Sequence, residues 1–443
     1  MSSEKPASYL RVLKAPHAAR TFLSALVARF AYGIVFMSLV LTVSGATGSY
    51  AVAGGVLAVF GLSSSLLAPY RARLIDRHGV RRALLPMAAL CAAALGLIAA
   101  VAWDPGAPEA ALWALAAAAG LTAPPLGPFM RTLWTVLVPE DDELQRAYAL
   151  DTVAEELLYV VGPLLAGAMA TAVEPALGVA VSAVLLFGGT AVLATSPPAV
   201  AFRSGPAPEG PDPVGDPGAG DGPGRNRSAL WRGLLDPVLV TAGLGACLGA
   251  FNLLAVAFAD DHGDPASVSW VSATMAISSA LGGLLYGAVR WTRPLRARLP
   301  ILAGLLGLFC LLAGQSGGML ALVAFAAGVG FAMSPTLTTS YLIAGEVDSG
   351  ARSTEAGTWV NTAFNTGNAA GSAGIGLLLA PLSLAWCFAV TGAAVLVPAL
   401  VVALRNSLRK EIQVEQEEKF EKADTVHSGE GREPRIRKGS ENS

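Results

Sequence analysis

Charge is scarce in this chain. Asp, Glu, Lys and Arg together make up 14% of its 443 residues, where a soluble domain carries about 25%. That argues against a soluble enzyme or binding domain clothed in charge. Histidine and cysteine are sparser still, at four residues each. His17, His78, His262 and His427 are scattered through tails and connections, and Cys91, Cys247, Cys310 and Cys387 all fall inside apolar runs. Those positions argue against a disulfide framework and offer no metal-ligand spacing, so no metal is expected. No Walker loop or dinucleotide fingerprint occurs, so neither nucleotide hydrolysis nor a bound cofactor is expected. The basic residues form no patch with interleaved aromatics, which argues against nucleic acid as a partner. The N-terminus lacks a short apolar region followed by a small-residue cleavage site, so no cleaved signal peptide is expected.

What is present is apolar length. Hydrophobic residues make up 53% of the chain, and the mean hydropathy is +0.56. A bilayer core takes roughly 20 apolar residues per helix, and runs of that order recur from end to end. Six span 21–43, 49–70, 83–103, 110–134, 147–173 and 175–195, and six more span 233–259, 268–289, 299–315, 319–344, 354–381 and 382–404. The expectation is an all-α integral membrane protein of twelve helices, in two pseudo-symmetric bundles over 21–195 and 233–404. Residues 196–232 are dominated by Pro, Gly, Asp and Ser and read as a disordered linker. Residues 1–20 form a short leading segment. The tail 405–443 is charged and reads as disordered, apart from a short surface helix through Phe420.

Lys and Arg placement sets the orientation. If the N-terminus is cytoplasmic and the chain alternates, the connections expected outside hold no Lys or Arg, and those in connections, linker and tails fall inside. This satisfies the positive-inside rule, with both termini in the cytoplasm. Arg29 alone is expected well within a helix.

The densest basic cluster is a turn between the second and third runs, from Arg71 through Asp76, Arg77, Gly79, Arg81 and Arg82 to Leu84. Together with Leu74, these residues resemble the signature loop of the major facilitator superfamily of secondary transporters, Gly-x-Leu-Ala-Asp-Arg-x-Gly-Arg-Lys-x-x-Leu. Ala72 stands at the family's first glycine and Val80 at an arginine. The resemblance implies alternating access between two six-helix halves, with the cytoplasmic side locked through Asp76, Arg77 and Arg81. On the fifth run, Gly162, Pro163 and Gly167 match the Gly-x-x-x-Gly-Pro-x-x-Gly-Gly motif of the family's antiporters, while Leu158 and Ala166 depart from it. That implies an exporter; generic packing of small residues is the plainer reading.

The same run carries Asp151, Glu155 and Glu156. A carboxylate about two turns inside a membrane helix is costly unless paired, protonated or wetted. Arg131 and Arg29 are the nearest cations expected from the fold. Either proton coupling or a structural ion pair fits these residues.

The eleventh run shows the sharpest pattern. Thr354, Thr358, Asn361, Asn365, Asn368 and Ser372 recur at steps of four and three, a continuous polar stripe on one helix face. Such a stripe needs partners or water, so it is expected to face a central cavity, with Asn252 and Ser334 as further lining. Hydrogen bonding between helices is the plainer alternative.

The reading is a secondary transporter, not an enzyme, in a bacterial plasma membrane. It is expected to act as a monomer on a small molecule, with protons and the bilayer as its other partners. Proton-coupled export is the first expectation and proton-coupled import of a polar metabolite the second. A membrane-embedded sensor or enzyme is disfavoured for want of a catalytic cluster or soluble domain.

Overall fold

A computed structural model describes residues 9–103, 105–202, 223–262, 267–347 and 353–429, and side chains are described there except at 223–229, 410 and 412–429. Membrane-length apolar runs have no water to satisfy their backbone polar groups, and in a bilayer helices satisfy them within one segment. The described residues accordingly contain helices and no strand.

The first half comprises α1 (Tyr9–Lys14), α2 (Ala18–Thr47), α3 (Tyr50–Leu66), α4 (Ala68–Gly79), α5 (Leu85–Val101), α6 (Glu109–Thr122), α7 (Leu126–Leu137), α8 (Asp141–Ala172), α9 (Pro175–Ala194) and α10 (Pro197–Ala201). The second comprises α11 (Pro223–Asp261), α12 (Val268–Ala288), α13 (Leu295–Ala313), α14 (Met319–Val347), α15 (Ser353–Leu378) and α16 (Leu384–Gly429). Ten helical stretches among the described residues are long and apolar enough to cross a membrane. The shorter α3 and the polar-striped α15 complete twelve crossings. Ala123, Pro124 and Pro125 interrupt the fourth, dividing the span Glu109–Leu137 into α6 and α7, because proline cannot continue the hydrogen-bond ladder.

The pairing of helices repeats from one half to the other. In the first half α2 packs on α8 and α9, α3 on α6, and α5 on α6 and α9. In the second, α11 packs on α15 and α16, α12 on α14, and α13 on α14 and α16. Each pair recurs six crossings later, as two parallel repeats require. Glycines permit the closest approaches. A Cβ on Gly367 would overlap the Ala242 carbonyl, and one on Gly371 the Ala246 carbonyl, so α11 and α15 meet backbone to backbone.

Three local expectations change. The basic turn is mostly helical: α4 runs through Asp76 and Arg77, and the chain breaks at Gly79, whose φ of 78° lies in the left-handed region. Glycine occupies that region at little cost. The expected linker is helical at both ends, in α10 and from Pro223 onward, while 203–222 lies outside the described residues. The tail continues α16 to Gly429. From Leu404 to Asp424 it has no Pro or Gly and is rich in Glu, Lys and Gln, strong helix formers that composition alone had weighed as disorder.

Candidate functional site

The site begins on α8. Asp151 and Glu155 are one turn apart on the side of the helix that faces α2 and α7. Asp151 is fully buried and meets Arg29 Nη2 at 2.7 Å and Arg131 Nε at 3.2 Å. Glu155 meets Arg131 Nη2 at 2.5 Å, with Arg29 Nη1 at 3.9 Å. Two guanidiniums and two carboxylates therefore balance within the first half. Arg131 sits buried in α7 beside Arg29. The two carboxylates differ in access: the Asp151 side chain is 0% exposed and that of Glu155 is 21% exposed.

Among the described residues, Tyr341 brings the second half onto this cluster. The Tyr341 ring of α14 lies 3.7 Å from the Arg131 guanidinium carbon, within cation–π range. Its hydroxyl donates to Asn361 Oδ1 at 3.2 Å. Tyr341 thus links Arg131 to the polar stripe.

Glu156 points elsewhere. Its two carboxylate oxygens have no hydrogen-bond partner among the described residues. The hydroxyls of Ser279 on α12 and Ser334 on α14 stand nearest, themselves unpartnered. This carboxylate lies on the seam between the halves. One turn away Thr338 donates to Thr152 at 3.4 Å.

The stripe on α15 faces the first half at its lower end. Thr354 and Thr132 share a hydrogen bond at 3.3 Å, and Thr358 donates to its own helix at Thr354 O. Asn361 reaches Tyr341, and Asn365 is exposed one turn further along. Asn368 and Ser372 are half-buried, lying against Gly245 and Gly249 of α11. Asn252 is exposed on α11, and Ser334 is buried.

The halves meet at the end that carries the arginines. Arg73 Nε donates to Glu355 Oε2 at 3.1 Å, and Asp76 Oδ2 accepts the Glu355 backbone N–H at 3.0 Å. Asp142 pairs with Arg290 at 3.2 Å, and Gln145 bonds Arg298 at 2.8 Å and the Tyr286 carbonyl at 2.9 Å. The Tyr9 hydroxyl donates to the Leu284 carbonyl. Thr362 donates to Ser65 O at 3.3 Å. The polar contacts seen between the halves lie at this end of α8, α12 and α15, whereas α2 and α11 make no substantial packing with each other. Beyond Glu156 and Tyr341, Asn252 of α11 and Asn365 of α15 are both exposed, which marks a slot between the halves on that side, while a cavity of about 880 Å³ lined by Gln145, Arg298 and Asn406 lies at the arginine-bearing end.

Several residues were missed or reassigned. Arg73 and Glu355, absent from the sequence-level candidates, form the ion pair of the seal, whereas Arg77 and Arg81 are exposed. The helix phase of α4 explains this: Arg73 and Asp76 share a face, and Arg77 points away from α15. Leu74 is half-buried and Gly79 makes the chain break. Arg71 donates to the Gly120 carbonyl at 2.6 Å and the Leu121 carbonyl at 3.0 Å, satisfying the end of α6. On α8, a Cβ at Gly162 would overlap the Gly33 backbone of α2, whereas one at Gly167 would meet nothing, and Pro163 is exposed.

Comparison with known proteins comes from sequence and from structure. The sequence matches the family model described as Major Facilitator Superfamily over residues 21–256 and 238–436. No curated protein matches the chain by sequence. Among solved structures, the fold is similar to an outward-facing bacterial homologue of the iron transporter ferroportin, with TM-score 0.67 and 15% identity over 88% of this chain and 100% of that one. It is also similar to the human organic anion transporter MFSD10, with TM-score 0.61 and 18% identity over 89% and 100% of the two chains. The E. coli fucose:proton symporter gives TM-score 0.61 and 14% identity over 89% and 99%. At these identities the likeness concerns the fold.

Proposed function

The chain belongs to the major facilitator superfamily, and from that premise we propose that it is a proton-coupled secondary transporter moving a small organic molecule by alternating access across the plasma membrane. The arginine-bearing end is assigned to the cytoplasm by the positive-inside rule. The slot then opens outward, and the contacts among Arg73, Asp76 and Glu355 form the inner seal.

The observation that carries proton coupling is the position of Glu156. A carboxylate without a partner, between halves that must separate during the cycle, is costly when charged and gains from taking a proton. Opening the inner side would wet it and favour release, which ties its protonation to the conformational equilibrium. Glu155, its neighbour on α8, is the second candidate, with Asp151, Arg131 and Arg29 setting its environment. The substrate path runs along Thr358, Asn361, Asn365, Asn368 and Ser372, with Asn252 opposite.

Export in exchange for protons is the first reading of direction, carried by the match at Gly162, Pro163 and Gly167. Import together with a proton is the second, and a specific observation favours it. Glu155 is bonded to Arg131, so protonating Glu155 would free a cation, and a proton and an anionic solute would then bind together.

Everted vesicles test the proposal. A candidate substrate added to vesicles with a pre-formed pH gradient collapses it under exchange and steepens or spares it under co-transport. Coupling that persists unchanged in both Glu155→Gln and Glu156→Gln removes these carboxylates as proton carriers. A susceptibility screen against antibiotics and dyes, with and without the gene, narrows the substrate.

A further inference from the structure

The four-charge cluster is asymmetric in a way that helix packing does not require. Asp151 bridges both arginines from a position closed to solvent. Glu155 covers Arg131 from the slot side with a partly exposed side chain. Gly127 of α7 makes room for it: a Cβ there would stand 3.0 Å from Glu155 Oε1. Two guanidinium nitrogens, Arg29 Nη1 and Arg131 Nη1, are buried and have no hydrogen-bond acceptor among the described residues. Both arginines are 3% exposed. A buried guanidinium with a spare N–H is an anion site in waiting, because its fork geometry suits a carboxylate.

We infer that Glu155 is a displaceable counterion and that the Arg131–Arg29 pair binds the carboxylate of a small organic anion, with Glu155 taking up a proton as it yields its place. The inference deepens the proton-coupled reading above and rests on it. In the exchange, the Glu155 Oε2 contact to Arg131 Nη2 breaks, the proton goes to the Glu155 carboxyl, and a ligand carboxylate oxygen takes the position at Nη2. Asp151 stays in place and keeps Arg29 oriented. Net charge in the cluster is conserved, since one carboxylate replaces another that has become neutral.

Every ionisable group facing Glu155 is consistent with this exchange. From α2 comes Arg29, from α7 Arg131, from α14 Tyr341, and from its own helix Asp151, Glu156 and Tyr159. Among the described residues Asp151 is the other acid on the two guanidiniums, so a proton on Glu155 leaves the cluster with one positive charge uncompensated. The surroundings also indicate the rest of the ligand. Tyr159 stands one helical turn from Glu155 on the same face of α8, the Tyr341 ring lies over Arg131, and the Asn361 amide accepts from the Tyr341 hydroxyl. The arrangement suits a carboxylate on a flat or apolar body, with a polar group toward Asn361 and Asn365. A cationic solute would instead face two arginines.

Binding to the purified full chain in nanodiscs tests this without assuming a transport direction. The probes are benzoate, succinate and gluconate, with benzamide and benzylamine as neutral and cationic counterparts of the first. Calorimetry in buffers of different ionisation enthalpy reads affinity and proton uptake together. At least one of the three anions should bind. Where it is benzoate, benzamide and benzylamine should be roughly tenfold weaker or worse. Binding should take up about one proton per ligand from the buffer. In Glu155→Gln the anion should bind roughly tenfold more tightly and proton uptake should vanish, while Arg131→Lys should weaken it. The glutamine variant keeps the side chain's size and hydrogen-bonding shape, so it remains informative if the Arg131 variant fails to fold.

The inference is overturned if none of the three anions binds at millimolar concentration, if benzamide or benzylamine matches benzoate, or if proton uptake survives in Glu155→Gln. Each of those results leaves proton-coupled transport standing, to be judged by the vesicle measurement. Loss of coupling in vesicles with intact anion binding would remove the transport reading and spare the site.

Discussion

Asp76 on α4 accepts the backbone N–H of Glu355, at the third position of α15, across 3.0 Å. The first turn of α15 has unpaired backbone N–H groups and a positive dipole end, which a carboxylate stabilises. Here the cap comes from the opposite half of the molecule. The Glu355 side chain, 2% exposed, simultaneously holds Arg73. Replacing an N-cap residue by alanine costs about 1 kcal/mol. Asp76→Ala should therefore shift the equilibrium about fivefold toward the state open at the arginine end. Distance measurements between spin labels on α4 and α15 would show this, and an unchanged distribution would deny the cap a role in the seal.

Asp151 and Glu155 should respond differently to loss of charge. Asp151→Asn leaves two buried guanidiniums without their shared counterion and should cost about 3–5 kcal/mol, seen as lost expression or a lowered Tm. Glu155→Gln, at the slot edge, should fold normally. The double variant Arg29→Gln/Asp151→Asn should recover part of the loss, because the uncompensated charge is gone. Equal instability of the two single variants would contradict the asymmetry drawn here.

Gly162 and Gly167 separate packing from motif. A Cβ on Gly162 has no space against Gly33, so Gly162→Ala should force α8 away from α2 and cost about 1–3 kcal/mol. Gly167→Ala meets nothing and should leave Tm unchanged. If Gly167→Ala reduced transport without altering Tm, the antiporter-like motif would have a role beyond helix crossing.

Accessibility along α15 should divide at Asn361. All four native cysteines are buried, so background labelling should be low. In the state described, a membrane-impermeant maleimide added from the outside should modify Asn365→Cys and spare Thr354→Cys, which lies beneath the seal. Equal modification at both positions would show that the slot is not closed where the structure closes it.

Much of the architecture could be read along the chain because the bilayer imposes a local rule. Each crossing needs its own apolar length, and each connection carries its own Lys and Arg bias. The helical class, the crossings and the resemblance at Leu74, Asp76, Arg77 and Gly79 follow from neighbours in sequence. So does the stripe on α15, since a period of 3.6 is local. The carboxylates of α8 were also visible as costly residues in an apolar run.

Their partners were not. Arg29 and Asp151 are 122 positions apart, and Arg73 and Glu355 are 282 apart; no periodicity links residues on different helices. Helix phase decided that Arg73 and not Arg77 meets α15, and that Glu155 turns to Arg131 while its neighbour Glu156 turns to the seam. By itself the sequence determined that this chain crosses a membrane as two helical halves and which residues are expensive there. Only the tertiary structure decided which of those residues neutralise one another, because pairing energy depends on distances that the chain sets when the halves pack.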